Sequence, residues 1–333
     1  MGYKVGILGA TGAVGREMIR CIEEYKLPID ELRPFASARS VGKKLPYNGG
    51  EITVSEASAE GFKGLDFVLG AVGGGMARQF APEVVKAGAV FIDNSSSFRM
   101  DPEVPLVIPE INGDDAFLNK GIISNPNCST IITLMAIAGI AKVSPIKTMV
   151  ACTYQAASGA GQQGIDDLEQ QEKALMNGEE IVPTKFPTQL VRNVIPFIGA
   201  YKDNGYTDEE MKMQNEGRKI LHMPDLKVTC TCVRVPVMRS HSISVTLVTE
   251  KHLEIEEAAA AIRSYPGVQL VEAGTTPRDY PTPIETSNQN DVYVGRIRKD
   301  LTNEDGLTLW CCGDQIRKGA AANAVQIMRL LMK

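Results

Sequence analysis

One cysteine of the chain stands where it could act as a nucleophile. Cys128 follows Asn125-Pro126-Asn127 and begins the segment Cys128–Lys142, which has the apolar composition of a buried helix. Backbone N–H groups at the N-terminus of a helix lower the pKa of a thiol and can bind an oxyanion. The pattern therefore predicts a thiolate that attacks a carbonyl carbon, although a small residue near a helix cap would look the same.

A thiol nucleophile needs an acid/base partner, and the chain has three histidines. His241 stands beside the start of a predicted strand, where a loop can present it to a site. Arg234 and Arg239 are close to it in the sequence, and the guanidinium fork binds carboxylate or phosphate. We therefore take His241 as the candidate base, with a purely structural histidine as the alternative.

A glycine-rich turn near the N-terminus could bind a dinucleotide. The run Gly9-Ala-Thr-Gly-Ala-Val-Gly15 lies between a predicted strand, Lys4–Leu8, and a predicted helix, Ala13–Lys26. Small residues allow a tight turn and let the backbone approach a pyrophosphate at the helix N-terminus. The glycine spacing differs by one position from the usual fingerprint, so a glycine-lined turn without a ligand stays the alternative.

The end of the second predicted strand distinguishes NADP from NAD. NAD sites usually have an acidic residue there for the ribose hydroxyls, and none occurs between Phe35 and Ser40. Arg39 can pair with a 2′-phosphate, and Ser37 and Ser40 can donate hydrogen bonds to it. The sequence predicts NADP; an arginine on a solvated loop is the alternative.

Two kinds of segment predict two domains. Residues 1–127 alternate short apolar strands with helices, which predicts βαβ units and a Rossmann-type doubly wound parallel sheet in an α/β fold. The predicted strands are Lys4–Leu8, Leu32–Ala36, Phe67–Val72, Val90–Ile92, Leu106–Ile108 and Ile122–Ser124, and the predicted helices are Ala13–Lys26 and Met76–Ala87.

Residues 128–313 have longer, partly alternating strands, which are typical of an α+β domain with a mixed sheet. The predicted strands are Lys147–Thr153, Lys227–Val235 and Ser242–Val248, and the predicted helices are Ile165–Met176, Asp208–Leu221 and Ile255–Ser264. Residues 177–205 are expected to form surface loops. A last helix, Ile316–Met332, is expected to return to the first domain, which residues 314–333 would complete.

Composition excludes several classes of protein. The chain has 333 residues and a net charge of -5, so it lacks the basic surface of a nucleic-acid-binding or membrane-binding protein. It has no signal-peptide pattern and no apolar run of the ~18 residues that a membrane span needs. Seven scattered cysteines indicate reduced thiols and a cytoplasmic location, and no histidine pairs with a cysteine at metal-ligand spacing. We expect a small-molecule enzyme without a structural metal.

Six motifs together resemble the bacterial aspartate-semialdehyde dehydrogenase family. They run in the family's order from residue 9 to residue 241, and the resemblance continues through Gly313-Asp-Gln315-Ile-Arg-Lys-Gly-Ala-Ala to about residue 324, so it covers essentially the whole chain. The motifs are Gly-Ala-Thr-Gly-Ala-Val-Gly, Ser-Ala-Arg-Ser, Asp-Asn-Ser-Ser-Ser-Phe-Arg, Asn-Pro-Asn-Cys-Ser-Thr, Gln-Ala-Ala-Ser-Gly-Ala-Gly and Arg-Val-Pro-Val-Met-Arg-Ser-His.

The resemblance implies a reaction in the biosynthesis of lysine (through diaminopimelate), threonine and methionine. L-aspartyl-β-phosphate and NADPH give L-aspartate-β-semialdehyde, phosphate and NADP, reversibly. Cys128 matches the nucleophile that forms a thioester, and His241 matches the acid/base residue. Gln155 matches the residue that orients the intermediate near the cysteine.

The resemblance also implies binding residues and an assembly. Arg234 matches the ligand of the substrate α-carboxylate, and Glu216 that of the ammonium. The remaining substrate positions are Arg99 and Lys219, for phosphate, and Asn127. Cofactor positions are Gly9, Thr11, Gly12, Ala13, Val14, Ser37, Arg39, Ser40, Ser158, Gly159 and Gln315. The spacing of Glu216 and Lys219 puts them on one helix face, although a surface ion pair would have the same spacing. The family forms homodimers, and some members form tetramers.

Two other classes of protein share parts of this pattern. N-acetyl-γ-glutamyl-phosphate reductases have Asn-Pro-Gly-Cys-Tyr around the nucleophile, whereas this chain has Asn-Pro-Asn-Cys-Ser, and the Ser-Cys-Thr-Thr-Asn of glyceraldehyde-3-phosphate dehydrogenases is absent. A non-catalytic relative that serves as a binding module should have lost the cysteine or the histidine. Cys128 and His241 are both present, so an enzyme is the favoured interpretation.

Overall fold

The structure is a computed structural model that describes residues 2–272 and 278–332. Its strands are β1 Tyr3–Leu8, β2 Ile29–Ala36, β3 Lys44–Tyr47, β4 Gly50–Thr53, β5 Ser55–Glu56, β6 Phe67–Gly70, β7 Val90–Asp93, β8 Ile122–Ser124, β9 Ile146–Gln155, β10 Lys227–Arg234, β11 His241–Thr249, β12 Val268–Leu270, β13 Val292–Lys299 and β14 Gly306–Gly313. Its α-helices are α1 Ala13–Glu24, α2 Gly74–Lys86, α3 Pro109–Asn112, α4 Cys128–Val143, α5 Gln162–Asn177, α6 Asp208–Ile220, α7 Ile255–Arg263, α8 Pro283–Thr286 and α9 Ala322–Leu331.

The chain forms two compact units, Met1–Asn127 with Ala320–Lys333, and Cys128–Gly319. The first unit contains a six-stranded parallel sheet in the order β5-β2-β1-β6-β7-β8. Alternate strand residues lie in two apolar clusters, one that includes α1 and α9 and one that includes α2. Because successive strand side chains point to opposite faces, helices cover both faces, and the predicted doubly wound sheet is confirmed.

The second unit contains a mixed sheet in the order β10-β9-β11-β14-β13-β12. The outer pairs, β10 with β9 and β12 with β13, are parallel, and the inner pairs are antiparallel. Helix α4 is buried along nearly its whole length, as expected for a helix that is apolar on all sides. The mixed sheet that the sequence predicted is therefore confirmed.

Two predicted elements are wrong. Leu106–Ile108 is not a strand, because Leu106 makes only an isolated bridge with Ser124. The side-chain amide of Asn112 hydrogen-bonds the Leu106 carbonyl and the Ile108 N–H, so these backbone groups are not free for a strand ladder. The last helix is also not continuous from Ile316, since Arg317–Ala321 is π-helical and α9 starts at Ala322.

The buried carboxylate of Asp314 explains the irregular start of the last helix. Its Oδ1 accepts hydrogen bonds from the N–H groups of Ile316 and Arg317. A side chain that holds two successive N–H groups fixes a turn at this point instead of a regular first turn. Residues 314–319 belong to the second unit, and the chain joins the first unit from Ala320.

Within residues 2–272 and 278–332, every helix is too short or too polar to cross a membrane.

Candidate active site

The topology of the mixed sheet brings four chain positions to one edge. Strands β9 and β10 are parallel and end opposite each other at Gln155 and Arg234. Strand β11 runs antiparallel to β9, so it starts at the same edge, with His241. Strand β14 ends opposite His241 at Gly313, and Gln315 follows two residues later. Residues separated by up to 160 positions in the sequence thus meet because of strand direction.

Cys128 and His241 contact each other in the second unit. Cys128 is the first residue of α4, and its Sγ lies 3.4 Å from Nε2 of His241. Cys128 is partly exposed, whereas His241 is fully buried. A Cβ at Gly319 would lie 2.9 Å from the Cys128 Cβ, so a glycine is needed there for close packing. The two residues that the sequence singled out as nucleophile and base are therefore adjacent.

A backbone hydrogen bond determines the tautomer of His241. The N–H of Ala156 donates to Nδ1 at 3.0 Å, so Nδ1 carries a lone pair and a neutral ring carries its proton on Nε2. The pKa of His241 falls to about 3, chiefly because the ring is buried. The positive charge of Arg234 lowers this pKa further, and the negative charge of Glu209 raises it in part. The ring is neutral near pH 7, with its N–H directed at the cysteine sulfur.

The guanidinium of Arg234 is buried and fixed. Its Nη1 donates to the Ala156 carbonyl at 2.6 Å, and the group lies 5.8 Å from the ring centre of Phe186. Burial lowers the pKa of Arg234, but an arginine stays charged under any ordinary condition. The backbone of one residue, Ala156, therefore contacts His241 through its N–H and Arg234 through its carbonyl.

Gly159 packs closely against Arg234 and His241. A Cβ at this position would lie 2.8 Å from Nη1 of Arg234 and 3.0 Å from Cε1 of His241. The resemblance assigned Gly159 to the cofactor, and the structure adds a local reason for glycine, which is the close approach of two buried side chains.

The residue before His241 has a strained backbone. Ser240 has φ of 74°, in the left-handed region that serine rarely adopts. Its N–H donates to Oε1 of Gln315 at 2.8 Å, and its hydroxyl contacts that of Thr286 at 2.6 Å. The Gln315 amide also hydrogen-bonds the hydroxyl of Ser158. Two predicted cofactor residues, Ser158 and Gln315, thus form part of the support for His241.

Helix α6 carries the predicted substrate residues Glu216 and Lys219. Glu216 is buried at 1% exposure, and Lys219 is partly exposed. Because Glu216 lies in the interior, Glu216 and Lys219 do not form a solvated surface ion pair.

The predicted site residues of the first unit lie at the carboxyl ends of its strands. Arg99 is buried, and its guanidinium donates to the carbonyls of Asn125 at 3.0 Å and Asn94 at 2.8 Å. Asn127 is also buried. Arg39 and Ser37 are exposed directly after β2.

The glycine-rich turn leads directly into α1. Gly12 is the N-cap of α1, which has neither a side-chain cap nor an acidic residue in its first turn. Thr11, Ala13 and Val14 flank this cap.

Three residues near the site were missed by sequence reasoning. Glu209 accepts a hydrogen bond from the side-chain N–H of Gln155, and the Thr153 hydroxyl donates a hydrogen bond to the side-chain oxygen of Gln155. Asp314 pairs with Arg239 at 2.6 Å, two residues before His241. Thr153 could have been found from strand alternation, since it shares a strand face with Gln155. No local pattern identifies Glu209 or Asp314.

Comparison with known proteins gives a consistent result. Residues 4–118 match the family described as "Semialdehyde dehydrogenase, NAD binding domain", and residues 137–318 match "Semialdehyde dehydrogenase, dimerisation domain". The aspartate-semialdehyde dehydrogenase of Aquifex aeolicus is 48% identical over 100% of this chain and 99% of its own length. The Bacillus subtilis enzyme is 44% identical over 100% and 98%.

This chain belongs to the aspartate-semialdehyde dehydrogenase family. A crystal structure of aspartate semialdehyde dehydrogenase II from Vibrio cholerae complexed with ASA matches with a TM-score of 0.95 and 39% identity, over 99% of this chain and 98% of the other. The family resemblance is thereby confirmed. The chain is an oxidoreductase with a nicotinamide-dinucleotide-binding domain and a dimerisation domain.

Proposed function

We propose that this chain catalyses the reversible NADPH-dependent reductive dephosphorylation of L-aspartyl-β-phosphate to L-aspartate-β-semialdehyde, in the biosynthesis of lysine, threonine and methionine. The observation that carries the proposal is the 3.4 Å contact between Cys128 Sγ and His241 Nε2 at the start of a buried helix. Full-length similarity to aspartate-semialdehyde dehydrogenases supports the choice of substrate.

The glycine-rich turn of the first unit fits a dinucleotide. A Cβ at Gly12 would meet only the Gly9 carbonyl oxygen, at 3.5 Å, so the space above the turn is open. The uncapped N-terminus of α1 offers backbone N–H groups and a positive dipole end to a pyrophosphate. We assign Gly9, Thr11, Gly12, Ala13 and Val14 to this contact.

Three features support NADP as the dinucleotide. Arg39 and Ser37 are exposed after β2, Ser40 is partly exposed beside them, and residues 35–40 contain no acid. A guanidinium with two hydroxyl donors suits a 2′-phosphate. We also assign Ser158, Gly159 and Gln315 to the cofactor, on the resemblance.

The substrate is a zwitterion with an added phosphate, and the assigned residues match its charges. The buried fork of Arg234 suits the α-carboxylate, since it can bind two oxygens at once. The buried carboxylate of Glu216 suits the ammonium, because buried charges need opposite charges. We assign the phosphate to Arg99 and Lys219, and Asn127 to the substrate as the neighbour of Cys128.

In the forward reaction the Cys128 thiolate attacks the acyl carbon, and the carbon–oxygen bond to phosphate breaks with its electron pair on the phosphate. When bound, NADPH supplies the hydride that reduces the resulting thioester carbon. His241 donates a hydrogen bond from its Nε2–H to the negative oxygen and keeps the proton, and the N–H groups at the start of α4 donate to the same oxygen. Gln155 orients the acyl group. The carbon–sulfur bond then breaks, which releases the aldehyde and restores the thiolate.

We also infer a homodimer formed through residues 137–318, the range matched to a dimerisation domain; the alternative assembly is a tetramer. Analytical ultracentrifugation of the purified chain distinguishes monomer, dimer and tetramer.

We also infer a cytoplasmic location, because the seven cysteines are all free thiols.

The decisive experiment measures NADPH formation from L-aspartate-β-semialdehyde and NADP, with and without phosphate, for the wild type and Cys128→Ala. We expect phosphate-dependent activity that disappears in the variant, while NADP still quenches protein fluorescence. A folded wild-type protein without activity would contradict the proposal, and N-acetyl-glutamate semialdehyde would then be the next substrate to test.

A further inference from the structure

The side-chain amide of Gln155 is held at both ends. Its Oε1 accepts a hydrogen bond from the Thr153 hydroxyl at 3.0 Å, and its Nε2 donates to Oε1 of Glu209 at 3.2 Å. Gln155 and Thr153 are buried at 2% and 0% exposure, and the Glu209 side chain is 10% exposed. Rotation of this amide is therefore restricted on both sides by groups inside the protein.

Glu209 is the partner that decides which way the amide faces. An ionised carboxylate only accepts hydrogen bonds, so it must meet the nitrogen end of Gln155. A rotation by 180° would place the amide oxygen against the carboxylate oxygen. Thr153 imposes no such choice, because a hydroxyl can donate or accept. The other oxygen of Glu209 accepts from Lys212 at 2.8 Å, which fixes the carboxylate itself.

We propose that Glu209 is a positioning residue that fixes the orientation of the Gln155 amide for the reaction at Cys128. This inference rests on the proposed function, in which Gln155 orients the acyl group. With its orientation fixed, the amide keeps one N–H and one oxygen lone pair for the substrate. A reversed amide would exchange these two groups and offer the substrate the wrong one.

Glutamine at position 209 cannot replace the carboxylate. A carboxamide has one oxygen and one nitrogen, whereas Gln155 and Lys212 both require an acceptor. One of the two contacts then becomes a pairing of donors, and the Gln155 amide loses its preferred orientation. Asp208→Asn is the matched control, since it removes one negative charge and a 3.6 Å ion pair with Lys212 from the same helical turn without touching Gln155, and Asp208 accepts from the Ala200 N–H through an oxygen that asparagine retains.

Glu209 also carries a charge that raises the pKa of His241, so a charge effect must be separated from positioning. A double-mutant cycle does this, because a residue that acts only through Gln155 has nothing left to act on once that side chain is removed. We expect Glu209→Gln to lower kcat about 10-fold or more with a smaller change in KM, on the scale of a misplaced orienting group. The same substitution in a Gln155→Ala background should change kcat by less than about 2-fold.

Each outcome of the cycle is informative. Losses that multiply in the double variant would overturn the inference, as would an unchanged kcat in Glu209→Gln.

If Glu209→Gln fails to bind NADP or to melt cooperatively, the pair Thr153→Val and Thr153→Ser replaces it. Both must leave kcat within about 2-fold, since Glu209 alone fixes the amide, and a large loss in Thr153→Val that serine restores would transfer the role to Thr153. An inactive wild type would instead contradict the proposed function.

Discussion

The N–H of Ala156 donates to Nδ1 of His241, and this single contact of 3.0 Å sets the chemistry of the ring on its other side. The ring nitrogen that faces Cys128 carries the proton, so it can donate to a thiolate or an oxyanion. A ring protonated on both nitrogens would set its Nδ1–H against the N–H of Ala156. His241 is therefore a neutral hydrogen-bond donor through its Nε2–H.

The neutral state of His241 predicts a pH dependence of stability. Its pKa falls from 6.5 to about 3 in the folded protein, chiefly through burial, so below pH 6.5 the unfolded chain binds a proton that the folded chain rejects. This contribution to stability is complete above pH 6.5 and declines as the pH falls toward 3. At pH 5 the loss relative to pH 7.5 is about 2 kcal/mol.

Urea unfolding of the wild type and His241→Asn at the two pH values measures this effect. The wild type should lose about 2 kcal/mol more than the variant between pH 7.5 and pH 5, because asparagine does not titrate. Equal losses in the two proteins would show that His241 is protonated without penalty.

Gly159→Ala tests the close packing of Gly159 against Arg234 and His241. The added Cβ would lie 2.8 Å from Nη1 of Arg234 and 3.0 Å from Cε1 of His241, and both side chains are buried and hydrogen-bonded. One of them must shift by a few tenths of an ångström. We expect kcat/KM to fall about 10-fold to 100-fold, since small misplacements cost that much.

Steady-state kinetics and a melting curve check the Gly159→Ala prediction. Gly50→Ala is the matched control, because its Cβ would meet only the Tyr47 carbonyl oxygen at 3.7 Å in the β3–β4 hairpin. Comparable kinetics for Gly159→Ala and the wild type would mean that the site tolerates the movement.

The sequence predicted the parts of the site that have a local cause. Pro126 before Cys128 indicated a helix start, and the glycine-rich turn indicated a βα connection. The predicted strand at residues 106–108 was wrong because the Asn112 side chain hydrogen-bonds the backbone of this segment. Hydrogen bonds from one side chain produce no periodic pattern in the sequence, so they could not be predicted. The Cys128–His241 contact joins residues 113 positions apart, and only the topology of the sheet brings them together.

The supporting residues were beyond prediction for a related reason. Glu209 is one of three consecutive acidic residues in the first turn of α6, where acids are common for helix stability alone. Which of them faces Gln155 depends on how α6 packs on β10. Neither composition nor periodicity contains that information.

Arg234→Lys should weaken substrate use while the fold is retained. Lysine keeps the charge but lacks the planar fork that binds a carboxylate through two parallel hydrogen bonds. We expect kcat/KM for L-aspartate-β-semialdehyde to fall about 100-fold, with the larger part in KM, because a carboxylate binding contact is lost. The exposed Arg263, which pairs with Glu272, offers Arg263→Lys as a control. Unchanged kinetics for Arg234→Lys would remove Arg234 from the carboxylate site.

Arg39→Ala should distinguish the two nicotinamide cofactors. Arg39 is exposed after β2 in a segment without acids, so its guanidinium is available to a 2′-phosphate, which NAD lacks. An Arg–phosphate pair at a partly solvated site stabilises binding by about 1.5–3 kcal/mol, which corresponds to roughly 10-fold to 150-fold in Kd. The loss should appear in the Kd for NADP and leave the Kd for NAD almost unchanged. Fluorescence titration with each cofactor measures both constants, and Arg20→Ala, an exposed arginine on α1, is the control. If the two cofactors lost affinity equally, Arg39 would act on a feature that they share, and the 2′-phosphate would have to be read by Ser37 and Ser40 alone.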